Sequence, residues 1–338
     1  VKIVGKIPSS VTTLTRALMG LTLRVPYDFI SSSTSITGMY GMFAGSSITF
    51  YIPSRSDAQL PVYLDSNENP VTCTDAVNSD FFPVNVVDIG CVFEGSNVQL
   101  IDSNVFSRLT NLQTCNSAFR GSHSGLFSKD LQIDTLWSQC PNISNISGCF
   151  SNVRNVYCAA TLRFHNNINT NSIINISGLF GLDSWNENSL PITIDLDNDL
   201  LKPKLITSNY YSINGNTTRY AGTFQNRKVY ITSSNANIFS KLRGDCTNMF
   251  YGAKIYLNSS VTSFDLSNVG NISSLGNPSG NAKQAYAMFY GCQVYENESP
   301  YNRKFITVTM PTDCVSTSYM FYGSLMLGAL PLLRSSNT

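Results

Sequence analysis

Charge is what this chain has least of. Asp, Glu, Lys and Arg make up 13% of its 338 residues, and the signs nearly cancel, with 22 Lys and Arg against 21 Asp and Glu. Without a basic field there are no cations to displace counterions from a phosphate backbone, so DNA and RNA are not expected partners. No apolar run approaches the roughly 18 residues that span a membrane. The N-terminal stretch VTTLTRALMGLTLRVP is interrupted by Arg16 and Arg24 and lacks the compact apolar run of a signal peptide.

Histidine is nearly missing as well, with only His123 and His165. His123 lies among serines in GSHSGLF and His165 in an Asn-rich stretch, and neither has an orienting acid, so both read as exposed loop residues. There is no Walker loop, dinucleotide fingerprint, nucleophile elbow or paired-acid motif; neither an enzyme nor a cofactor is expected. DLDNDLLKP offers Asp195, Asp197 and Asp199 as a calcium loop would. Leu200 and Ile206 stand where that loop needs Gly and Glu, so a solvated turn is expected there, as at DSNENP (65–70). The nine cysteines show no zinc spacing, and their odd number speaks against a closed disulfide framework. Cys115, Cys149, Cys246 and Cys314 fall on apolar positions and read as buried free thiols, which suits folding in a reducing compartment. Sequons at Asn142, Asn145, Asn175, Asn216, Asn258, Asn271 and Asn297 are what a chain rich in Asn, Ser and Thr generates by chance.

What is present is a pattern written many times. Its anchors are Leu18, Phe43, Phe93, Phe119, Phe150, Phe180, Phe224, Phe250, Phe289 and Phe321. Eight residues before nearly every anchor stands Ser, Asn or Asp, a helix N-cap type, and two residues after it stands Gly or Asn, a helix-ending type. Apolar residues sit seven, four and one before the anchor, as in Val86, Ile89, Val92 and Phe93. That spacing predicts a helix of about nine residues, too short to persist unless packed. SSITFYIP, SNVQLID, RNVYCAA, RKVYITS and AKIYLNS then read as strands. The expectation is an α/β repeat solenoid: about ten helix–turn–strand copies from Leu18 to Phe321, forming one domain over residues 1–338 and belonging to a longer chain or assembly.

The stretches CTNMFYGAKIYL (246–257), FDLSNVGNISSL (264–275), AYAMFYGCQVY (285–295) and SYMFYGS (318–324) resemble the BspA-like leucine-rich repeats. The resemblance implies a leucine-rich-repeat-like solenoid on a secreted, cell-surface or virion protein, such as a phage tail fibre, used for adhesion and protein–protein interaction. The expected function is therefore non-catalytic recognition of a protein or glycan receptor, with a structural subunit of a virion or extracellular filament as the alternative. The expected location is extracellular, on a cell surface or on a virion. Aromatic residues of the strands and insertions are the candidate ligand-binding positions: Trp185, Tyr210, Tyr211, Tyr230 and Tyr256. Both outermost copies lack a polar cap, so the ends are expected to abut neighbouring subunits or more of a parent chain.

Overall fold

The computed structural model describes residues 1–54, 57–65, 67–121, 130–159, 162–168, 172–194, 222–233, 235–239, 246–267, 269, 285–297, 302–310 and 317–325. It also describes the backbone of 204–206, 210–213 and 216–219. The chain divides into two compact units, Val1–Asn169 and Thr170–Thr338.

The first unit holds β1 (Thr22–Pro26), β2 (Ser47–Tyr51), β3 (Val62–Leu64), β4 (Pro70–Thr72), β5 (Ala76–Val77), β6 (Gln99–Leu100), β7 (Leu131–Gln132) and β8 (Val156–Tyr157). β1 pairs with β2, β5 with β6 and β7 with β8, all parallel, while β3 and β4 form an antiparallel pair. The second unit holds β9 (Ile173–Asn175), β10 (Ile192–Ile194), β11 (Lys204–Ile206), β12 (Tyr210–Ile213), β13 (Asn216–Arg219) and β14 (Lys228–Ile231). It continues with β15 (Asn237–Ile238), β16 (Lys254–Leu257), β17 (Ser263–Asp265), β18 (Gln293–Glu296) and β19 (Thr307–Thr309). Its main sheet is parallel, in the order β10-β14-β16-β18; β15-β17-β19 form a second parallel sheet, β9 and β11 a parallel pair, and β12 and β13 a hairpin. The five runs read as strands from the sequence coincide with β2, β6, β8, β14 and β16.

The helices do not form. Among the described residues there is none, and the expected α/β solenoid of helix–turn–strand copies is overturned. The backbone angles give the reason. Eight of the ten anchor segments contain two left-handed positions, two residues before the anchor and two after it; the Phe180 segment keeps only the first, at Gly178, and the Phe224 segment only the second, at Asn226. In the Phe43 segment these are Gly41 (φ 61°) and Gly45 (φ 66°), and in the Phe250 segment Asn248 (φ 54°) and Gly252 (φ 63°). A left-handed residue every four positions breaks an α-helix before it completes a turn.

The hydrogen bonds follow suit. The N–H groups of Met42, Ala44 and Ser46 close tight turns onto Met39, Gly41 and Phe43. Those of Met39, Gly41, Phe43 and Gly45 instead donate sideways to the carbonyls of Asp88, Gly90, Val92 and Glu94 in the next segment. Each segment is thus half turn and half strand, and no carbonyl four residues back is used. The residues expected as N-caps serve the same lateral bonding. Asn85 Nδ2 donates to the Thr34 carbonyl at 2.9 Å, and Asn142 Nδ2 to the Thr110 carbonyl at 3.1 Å.

Within a unit the anchors pile ring on ring. Phe43, Phe93, Phe119 and Phe150 follow one another at 5.5, 5.6 and 5.9 Å in the first unit. Phe224, Phe250, Phe289 and Phe321 do so at 5.3, 5.3 and 5.6 Å in the second. All but Leu18 and Phe321 are buried. The apolar residues seven, four and one before the anchor join them inside, as Ile36, Met39 and Met42 do.

Candidate functional site

The main sheet of the second unit carries two of the residues singled out in the sequence, Tyr230 and Tyr256. Alternation turns Val229, Ile255 and Val294 inward, while register aligns Thr193, Tyr230, Tyr256 and Tyr295 in one row on the opposite face. The three tyrosine rings stack at 4.9 and 5.3 Å. That stacking uses up their faces: Tyr256 and Tyr295 are buried and Tyr230 is half-buried. Desolvation pushes the Tyr256 phenol up, and neighbouring Tyr230, Tyr295 and Glu187 add to the effect.

Trp185 comes to the same face, half-buried, with the Lys254 ammonium 4.3 Å from its ring centre. Lys254 also pairs with Glu187 at 3.3 Å, and Lys228 donates to the Glu187 backbone carbonyl. Hydrogen bonds from Lys254 first, and then from Trp185, hold the Glu187 carboxyl below its usual range. Trp185 and Glu187 therefore latch their loop to the sheet on Lys254, the first through a cation–π contact and the second through an ion pair. Its ring is already engaged. Tyr210 and Tyr211 lie on the β12–β13 hairpin, whose side chains fall outside the described residues.

The open aromatic surface lies one residue past the anchors. Tyr251, Tyr290 and Tyr322 stack at 4.7 and 5.1 Å, Tyr319 stands edge-on to Tyr322 at 72°, and Tyr286 stands edge-on to Tyr319 at 73°. Tyr319 is 57% exposed and Tyr322 61%. Burial, then the surrounding tyrosines Tyr251, Tyr322, Tyr286 and Tyr319, raise the Tyr290 phenol above its usual value. The signal for this cluster is the MFYG run repeated at 249–252, 288–291 and 320–323. Sequence reasoning used those runs to find the copies and passed over the tyrosine.

The first unit has a cleft of about 500 Å³ whose lining includes Tyr27, Asn78, Asp57, Asp80 and Asp102. The Tyr27 hydroxyl donates to Asn78 Oδ1 at 2.8 Å and accepts the Asn78 N–H at 3.0 Å, while Arg108 pairs with Asp80 at 3.0 Å.

The remaining candidates resolve as follows. Asp65 of DSNENP accepts the backbone N–H groups of Asn67 and Asn69, which hold its carboxyl below the usual range and make it the staple of a turn. His165 Nδ1 accepts the Asn167 N–H at 3.1 Å. His123, Cys314 and the Asp195–Asp199 stretch lie outside the described residues. Cys115, Cys149 and Cys246 are buried thiols. Among the described residues, no three His, Cys, Asp or Glu side chains converge as a metal site would require, and no helix is long and apolar enough to cross a membrane.

Compared with protein-family models, curated proteins and solved structures, the chain matches none. The geometry is what a functional reading has to rest on.

Proposed function

We propose that this chain is a non-catalytic recognition module of a bacterial cell surface or of a phage virion, such as a tail fibre, and that it holds a protein or glycan partner on the tyrosine surface of its second unit. The observation that carries this reading is the row Tyr251, Tyr290 and Tyr322, extended by Tyr319 edge-on to Tyr322 and Tyr286 edge-on to Tyr319. Tyrosine offers a large, rigid contact with an apolar body and a polar tip at little entropic cost, which is why binding surfaces use it heavily. A surface poor in charge and rich in Ser, Thr and Asn supports display outside a cell or on a particle, as does the resemblance to BspA-like repeats.

Glycan arrays and surface-protein arrays probed with the whole chain test the reading. Tyr290→Ala and Tyr251→Ala should each weaken a detected interaction at least about tenfold, or about 1.4 kcal/mol. Silence on both arrays, or binding indifferent to both substitutions, would remove it. A structural subunit of a virion or extracellular filament is the second reading, favoured by backbone groups of the 13–20 and 317–323 segments that have no partner among the described residues. Imaging of an intact particle separates the two, since a tyrosine surface buried against neighbours supports architecture and an outward-facing one supports recognition.

A further inference from the structure

Neighbouring turn segments within a unit are bonded by one rule. The N–H groups two before the anchor, at the anchor and two after it donate to carbonyls three before, one before and one after the next anchor. Asn248, Phe250 and Gly252 donate in this way, the first to Tyr286, the second to Met288 and the third to Tyr290.

In the opening segment, Arg16, Leu18 and Gly20 donate by this rule to Tyr40, Met42 and Ala44. Its own carbonyls at the accepting positions, those of Thr15, Ala17 and Met19, accept nothing among the described residues. In the 317–323 segment the carbonyls of Ser318, Met320 and Tyr322 are taken by Ala287, Phe289 and Gly291. Its N–H groups at the donating positions, those of Tyr319, Phe321 and Gly323, have no acceptor among the described residues. One edge offers three acceptors and the other three donors, at the spacing that the interior of each unit already uses. Open rows of this kind are templates for another chain.

The side chains fit the same register. Phe321 and Leu18 are the two half-buried anchors, while Tyr322 is 61% and Met19 44% exposed. The bonding rule would set Phe321 on Leu18, continuing the stacked phenylalanines, and the open face of Tyr322 on the Met19 thioether, a favourable sulfur–ring contact. Tyr319 would fall beside Arg16, the only charged residue of the 13–20 segment, and the 317–325 segment has no charge to oppose it. Val1–Ile3 already pair along β1, with Arg24 donating to Val1 and Ile3 to Arg24, so the contact is confined to the turn rows.

We infer that the 317–323 segment of one chain seats on the 13–20 segment of a second copy, and that the chain associates head to tail. A contact between two different surfaces is not self-complementary as a two-fold dimer contact is, so each added copy leaves both kinds of end exposed until a ring closes. The inference goes beyond the recognition reading and does not depend on it.

Sedimentation velocity on the whole chain tests it. The wild-type chain should form species that lengthen past the dimer as concentration rises. Met19→Lys blocks one end and Tyr322→Lys the other; both positions are exposed, and circular dichroism should match that of the wild type. Each variant alone should stay monomeric. Mixed in equal amounts they should stop at a dimer containing one of each, because each retains the end that the other lacks. A wild-type chain that is monomeric at every concentration overturns the inference. So do a dimer indifferent to both substitutions and a mixture that stays monomeric.

Discussion

Phe250 and Phe289 lie ring over ring, with centroids 5.3 Å apart and planes within 4° of parallel. Phe224 covers the other side of Phe250 at 5.3 Å and Phe239 its flank at 5.4 Å. A ring so enclosed cannot be removed without leaving a cavity. Phe250→Ala is expected to cost about 3–5 kcal/mol. Tyr322→Ala, at an exposed position, should cost about 0.5 kcal/mol or less. Urea unfolding of both variants, read as the shift in midpoint at constant slope, checks this, and equal midpoints would contradict the buried row of anchors.

The closeness of adjacent segments sets a second expectation. A Cβ built on Gly222 would overlap the carbonyl carbon and oxygen of Asn248, backbone atoms that cannot swing aside. One built on Gly38 would meet only the Thr13 hydroxyl at 3.2 Å, which a rotation about χ1 relieves. Gly222→Ala should therefore lose at least about 2 kcal/mol, while Gly38→Ala should stay within about 1 kcal/mol of the parent chain. Thermal melts of the pair decide it, and a Gly222→Ala variant as stable as Gly38→Ala would mean the two segments are further apart than described.

The buried positions were legible in the sequence because burial alone sets them: Val86, Ile89, Val92 and Phe93 are all inside, as the apolar spacing requires. The backbone path was not. Gly45 and Gly95 advertise the second left-handed position of their segments, and read alone they look like the end of a helix. The first left-handed position falls on glycine at Gly41, Gly148 and Gly178, but elsewhere on Arg16, Cys91, Ser117, Asn248, Ala287 and Tyr319, mostly residues with no preference for that region. It is held there by lateral bonds such as Cys91 N–H to the Asn116 carbonyl, a long-range partner that no local pattern announces. At the candidate site, Tyr230 and Tyr256 share one face through the register of β14 with β16, which strand alternation alone does not give. What alternation also cannot report is that three tyrosines in register cover one another, or that the exposed rings are those of Tyr319 and Tyr322.

The eight cysteines among the described residues, all buried, should be chemically silent in the native chain. Trp137 Nε1 donates to Cys115 Sγ at 3.3 Å, and burial followed by the Cys115 neighbour pushes the Cys149 thiol well up. Burial, with a smaller push from Cys115, raises Cys140 to about 12, and burial alone raises Cys292 too. Since the thiolate is the reactive species, maleimide labelling at neutral pH should wait on unfolding and accelerate with urea as the unfolded fraction grows. Rapid labelling of Cys115, Cys140 or Cys149 in the folded chain, read by peptide mass spectrometry, would contradict their burial.

Stability should fall on the alkaline side, and the tyrosines supply the sign. Burial foremost raises the Tyr27 phenol, with Asp80 and Asp102 adding to it, and Tyr256 and Tyr290 are raised as well. A raised phenol keeps its proton in the folded chain at a pH where the unfolded chain has lost it. The contribution is thus complete below the ordinary tyrosine value of about 10 and is lost as pH climbs from there towards the folded-state values. The raised thiols act with the same sign from about pH 9, so the phenols must be followed separately, by absorbance of the phenolate. Tyr27→Phe removes one titrating group and should flatten the fall in unfolding midpoint above pH 10, even though losing the Asn78 hydrogen bonds lowers stability at neutral pH. If the variant and the parent chain lose stability in parallel from pH 9 to 11, with phenolate appearing at the free-tyrosine pH, the buried environment assigned to Tyr27 is wrong.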